Sequence, residues 1–189
     1  MIELSNKVAI VSGGASGIGR GISEVLSTHG ASVAVVDIDR EGAESVASNL
    51  MGNGQALGVF VDVTEQASVQ TMVSAVLQRY GKVDILVNNA GVIGADGWWD
   101  RKVPNDKDWD YVHSVNLRGV VNLSKAVATQ MIPRNYGKII NIASIAGRQG
   151  SPDLPHYSAS KAAVISWTQS SALQLAPHNI NVNAVCPGL

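Results

Sequence analysis

At 189 residues, 46% of them hydrophobic, the chain has the length of one domain, residues 1–189, with a sizeable core. Its 14 basic and 15 acidic side chains nearly cancel to a net charge of -1 and form no basic block, so nucleic acid is not an expected partner. A single cysteine, Cys186, excludes an internal disulfide. The four histidines share no metal-ligand spacing, and neither a signal-peptide pattern nor an apolar run of about 18 residues occurs. These features predict a cytoplasmic protein with no metal and no membrane span.

Short runs rich in valine and isoleucine alternate with longer segments of helical period, the pattern of a doubly wound, mainly parallel α/β sheet with helices on both faces. The first strand (8–12) leads into SGGASGIG, where Gly13, Gly17 and Gly19 let a pyrophosphate approach backbone N–H groups at the start of a helix over about 17–29. The spacing is G-x-x-x-G-x-G. Asp37 ends the second strand (32–37), where a carboxylate can accept bonds from ribose hydroxyls and repel a 2′-phosphate. That favours NAD, while Arg20 and Arg40 are near enough in sequence to keep NADP in view. Helix capping is the other use for Asp37 or Asp39.

After a helix over about 40–50, a third strand (56–62) ends at Asp62, followed by Val63. A helix over about 65–79 precedes the fourth strand (84–89), which ends in Asn88 and Asn89 before Ala90 and Gly91. All of these fall on the side of the sheet where such folds bind ligands. The glycine-rich stretch 91–104, with Trp98 and Trp99, reads as a functional loop. A long helix over about 106–131 carries Asn116 in its middle, where asparagine is mildly unfavourable and so invites a specific role.

Ser144 follows the fifth strand (138–143), and a helix over about 156–176 opens with Tyr157 and Lys161 before a last strand (180–185). Residues i and i+4 share a helix face, so the lysine lies beside a phenol whose unperturbed pKa is about 10. A neighbouring cation favours the phenolate and makes tyrosine usable as a general base. Ser144 can then hold a substrate oxygen. Trp98, Trp99, Arg148, Gln149 and His156 are positioned to line a substrate pocket, with a surface or packing role the more common use of each, and the tryptophans suggest an apolar or ring-bearing substrate.

With the glycine pattern, Asn-Asn-Ala-Gly, Asn116, Ser144 and Tyr-x-x-x-Lys in this order, the chain resembles a classical short-chain dehydrogenase/reductase over its whole length, Ser12 replacing the usual threonine. The resemblance implies a Rossmann-type fold and an NAD(H)-dependent interconversion of a secondary alcohol and a ketone by hydride transfer. It implies a tetrad in which Tyr157 is the acid/base, Lys161 tunes it and bonds the nicotinamide ribose, Ser144 steadies the substrate oxygen and Asn116 holds a relay water. It further implies that Gly13, Ser16, Gly17, Ile18 and Gly19 surround the pyrophosphate, Asp62 and Val63 flank the adenine, Asn89 and Gly91 lie along the ribose, and Pro187 and Gly188 stand beside the nicotinamide. The usual assembly is a homotetramer packed through the helices at about 106–131 and 156–176. Because such proteins continue past Pro-Gly with a substrate-covering segment and a further strand, a longer protein than these 189 residues is expected. An idle dinucleotide-binding sensor or scaffold is the alternative. A sugar-nucleotide epimerase is a third, although it usually needs a larger C-terminal domain.

Overall fold

The computed structural model describes residues 3–52 and 54–188, and the six apolar runs form six strands. These are β1 Val8–Ser12, β2 Ser32–Asp37, β3 Ala56–Phe60, β4 Ile85–Asn88, β5 Gly137–Ile142 and β6 Ile180–Val185. All pair in parallel, in the order β3-β2-β1-β4-β5-β6. The helices are α1 Gly17–Thr28, α2 Arg40–Ser48, α3 Gln66–Tyr80, α4 Asp106–His113, α5 Val120–Met131, α6 Ala146–Gln149 and α7 Pro155–Leu175.

Successive strand side chains point to opposite faces, and here both faces are apolar. Ile10, Val36, Leu86 and Ile139 pack under α3 and α5 through Met72, Val73, Leu123 and Val127. Ala9, Val11, Val33 and Val35 face α1 and α2 through Ile22, Leu26, Ala43 and Val46. From β1 the chain adds strands on one side, then returns to add β4 on the other. Their crossovers leave β1 and β4 in opposite directions, so a crevice opens beyond the ends of these two strands.

One element differs from the sequence pattern. The expected helix 106–131 is interrupted by a wide π turn, Ser114–Gly119, between α4 and α5. Asn116 sits in that turn fully buried, so it is not a solvent-facing residue, and its side chain is bonded to the chain beyond β4. Tertiary bonding here overrides helical regularity. β3 also stops at Phe60, two residues earlier than the apolar run suggests. The chain then turns through Asp62, whose carboxylate accepts from the Thr64 amide and hydroxyl.

The other end of the sheet is fastened by Asp84, just before β4 and 3% exposed. One carboxylate oxygen accepts from the Val8 amide and Lys82, the other from Arg134, each at 3.0 Å. Burial pushes this carboxyl's pKa up, but the bonds from Lys82, Val8 and Arg134 outweigh it and hold the group below its usual value. A lowered folded pKa means that this contribution is present above about pH 4 and is lost as the pH falls below it. Asp84→Ala removes the acceptor that two cations and the Val8 amide share, the cations keeping only the Asn6 and Val83 carbonyls, and is expected to cost about 2 kcal/mol, measured by urea unfolding at neutral pH, with a smaller difference from wild type in acid.

Candidate active site

The crevice begins at Ser12, the last residue of β1. Its buried hydroxyl donates to the Val87 carbonyl and accepts from the Asn89 and Ala90 amides at 3.1 and 3.2 Å. The Asn89 side chain reaches back to the Ser12 and Gly13 carbonyls, both at 3.0 Å. The ends of β1 and β4 are thereby locked together. Gly13 has φ +63, and a Cβ there would lie 2.8 Å from the Ala90 Cα; a Cβ on Gly19 would lie 2.0 Å from the Gly13 carbonyl oxygen. Both positions exclude side chains. Ser16 precedes α1 without forming a side-chain cap, and no acidic residue lies in the first turn. That turn's donors are left available to an anion.

A hollow of about 430 Å³ follows, lined by Gly13, Ser16, Gly17, Ile18, Asp37, Asp62, Val63, Asn89 and Gly91. Of the five residues expected around the pyrophosphate, Gly19 does not line it; it lies buried beneath, against Gly13. Asp37 accepts from the Ala15 amide at 3.0 Å and the Asp39 amide at 3.1 Å, while Asp39 caps α2 through the Gly42 amide. The capping role therefore falls to Asp39, and Asp37 is left lining the hollow. Arg20 pairs with Glu24, and Arg40 lies near Glu44 and over the Phe60 ring.

A second hollow of about 440 Å³ shares Ile18, Asn89, Gly91 and Val92 with the first, so the two are halves of one cleft. Ser144, Tyr157, Lys161, Pro187 and Gly188 line it. Lys161 is 4% exposed; its Nζ donates to the Ile142 carbonyl at 2.8 Å and lies 5.7 Å from the Tyr157 ring centre. Burial lowers its pKa from the usual 10.5 to about 8. Asn116 lines neither half of the cleft. It lies behind them, with Oδ1 accepting from the Val92 amide and Nδ2 donating to the Val92 carbonyl and to Ser160 Oγ. Asn116 Oδ1 and Lys161 Nζ each come within 3.3 Å of the point where a Cβ on Gly91 would stand, so they converge on one spot.

Three residues in this arrangement escaped the sequence pattern. Ser160, fully buried, accepts from Asn116 and donates to the Tyr157 carbonyl at 2.7 Å, joining the π turn to the first turn of α7. Gly147 packs α6 against α7 so closely that a Cβ would stand 2.7 Å from the Ala162 amide nitrogen, which brings the segment after Ser144 onto Lys161. Asn122 holds the Val63 carbonyl at 3.0 Å. Trp98, Trp99 and His156 line a third hollow rather than the one beside Tyr157, and Arg148 and Gln149 are exposed on α6 and line none of the three.

A doubly wound sheet with an anion-ready glycine turn at its switch point, and a serine, tyrosine and buried lysine around the adjoining hollow, is the framework of an oxidoreductase. Residues 7–189 match the family model described as short chain dehydrogenase, and the chain belongs to that family. It is 39% identical to a 3-oxoacyl-(acyl-carrier-protein) reductase of Thermotoga maritima, covering 99% of this chain and 75% of that one. It is 42% identical to a galactitol 2-dehydrogenase of Agrobacterium fabrum, covering 100% of this chain and 72% of that one. Among solved structures, an NAD+-bound xylitol dehydrogenase superposes with a TM-score of 0.91 at 37% identity, over 98% of this chain and 71% of that one.

Because folding lowers the Lys161 pKa, the unfolded chain binds more protons between about pH 8 and 10.5, and stability rises with pH across that window. The urea midpoint is expected to increase from about pH 8 to about pH 10, and to increase less in Lys161→Met.

Proposed function

We propose that the protein is an NAD(H)-dependent oxidoreductase that interconverts a secondary alcohol and a ketone. The observation that carries this reading is the placing of Ser144, Tyr157 and Lys161 around one half of a cleft whose other half holds the glycine turn and Asp37. The residues fit a dinucleotide: α1 offers uncapped donors, Gly13 and Gly19 keep that approach free of side chains, and Asp37 faces the first hollow. A bound nicotinamide would supply the acceptor or donor of the hydride.

The chain's own residues do the rest. Tyr157 removes the hydroxyl proton during oxidation and returns it during reduction. Lys161, whose amine is held beside the phenol ring by the Ile142 carbonyl, stabilises negative charge on the Tyr157 oxygen and would hold the nicotinamide ribose of a bound cofactor. Ser144 orients the substrate oxygen; its hydroxyl accepts from the Ala146 amide at 3.1 Å, and its own proton remains free to be donated. Asn116 anchors the loop that faces Lys161 and serves the proton relay.

NAD rather than NADP is supported by Asp37 and by the engagement of Arg20 and Arg40 with neighbouring glutamates. The relatives' names include sugar-alcohol dehydrogenases and acyl-carrier reductases, and both kinds of name are compatible with an alcohol–ketone pair. A homotetramer is supported by the exposed small residues of α7, Ala159, Ala162 and Ser166; Ala128 of α5 is buried against the sheet. A single cytoplasmic domain completes the proposal. Among the described residues, no helix is long and apolar enough to cross a membrane, and no group of side chains is arranged to hold a metal ion.

Tyr157→Phe removes the proton donor while keeping the ring and is expected to lower kcat by roughly 10²–10⁴-fold with cofactor affinity intact, measured as NADH formation across a panel of secondary alcohols; unchanged turnover would refute the role. Asp37→Ser is expected to shift the ratio of kcat/KM for NAD over NADP by roughly tenfold or more towards NADP, since it removes both an acceptor for the ribose and a charge that repels phosphate.

A further inference from the structure

Beyond the hollow beside Tyr157 lies another, of about 520 Å³, lined by Trp98, Trp99, Pro104 and Leu154 with Lys102 and Asp153 at its polar side. No residue lines both. A hydrogen bond links the two linings: Ile93 belongs to the first hollow, His156 to the second, and the His156 Nε2–H donates to the Ile93 carbonyl at 2.7 Å. His156 is 2% exposed, immediately precedes Tyr157, and leans its ring on Trp109 at 6.0 Å between centres.

With Nε2 as donor, Nδ1 carries only a lone pair, and it is buried without a partner among the described residues. A leucine or phenylalanine would fill the space without an unpaired acceptor, so packing alone does not account for histidine here. A donor that fixes the Ile93 carbonyl, together with a flat ring that closes the gap, does. The far hollow is preformed as well. Asp108 accepts two bonds from Arg101, at 2.6 and 2.9 Å, and further bonds from the Ala95 and Asn105 amides, which fixes the loop carrying both tryptophans.

We propose that His156 is the partition that sets substrate size. It ends the substrate site on this side, so that the protein takes compact secondary alcohols and ketones, and its removal joins the two hollows into one that admits a ring beside Trp98 and Leu154. This rests on the oxidoreductase reading above.

The test is a series of methyl ketones graded from ethyl through phenyl to naphthyl, with kcat/KM for reduction measured in wild type and His156→Ala. Wild type is expected to lose activity steeply with size, and His156→Ala to recover the naphthyl ketone by roughly tenfold to a hundredfold relative to the ethyl one. Leu154→Phe added to His156→Ala refills the far hollow and is expected to restore the wild-type profile. If His156→Ala does not fold, His156→Asn, smaller but still a donor, is expected to shift the profile in the same direction. Folded variants that keep the wild-type size profile, or that lose all ketones by the same factor, would overturn the proposal. Binding of the same ketones, read by quenching of tryptophan emission, needs no turnover: if neither protein reduces any ketone, the oxidoreductase reading fails, and the size dependence of binding still decides whether His156 is the partition.

Discussion

Everything at the ligand side of this sheet depends on the width of the gap between the ends of β1 and β4. Crossovers leave these strands in opposite directions, so no crossover helix sits over the gap to hold it. One hydroxyl and one amide do so instead: Ser12 is bonded to three backbone groups of 87–90, and Asn89 to two carbonyls of 12–13. On one side of this joint the chain enters the glycine turn, on the other it runs to Gly91, where Lys161 and Asn116 converge. A looser joint would move the two halves of the cleft relative to each other.

A second constraint is the conflict around Asn116. A regular helix from 106 to 131 would give each amide beyond its first turn an i−4 carbonyl, whereas the observed chain widens at Ser114–Gly119, where the Asn116 side chain bonds both polar atoms of Val92. The π turn accommodates the extra reach, and Ser160 passes the connection on to the Tyr157 carbonyl. The loop after β4, the interrupted helix and α7 are thus one hydrogen-bonded unit. The order in which these elements occur in the chain says nothing of it.

Strand positions, parallel pairing and the side of the sheet bearing the site were legible because burial on both faces leaves continuous apolar runs, and because turn residues follow each strand. Gly13, Asp37, Ser144, Tyr157 and Lys161 were legible for the same reason: each stands at a strand end or a helix start. Ser160 and Gly147 were not, since their importance lies in contacts with α4–α5 and α7 that no local spacing encodes. Which hollow Trp98 and Trp99 line was not legible, because a loop's path depends on what grips it. Here that is Arg101, whose guanidinium holds the Ala95 and Asp96 carbonyls as well as Asp108.

The buried amine of Lys161 sets the chain's durability against its chemistry. Below about pH 8 the folded protein keeps an ammonium largely out of water, with a single carbonyl as its hydrogen-bond acceptor among the described residues, and the unfolded chain carries no such burden. Replacing it with an apolar side chain relieves that burden and removes the residue beside Tyr157. A population of random variants selected for heat resistance alone would therefore drift away from lysine at this position, and under the proposed function only a selection that also demands turnover would keep it.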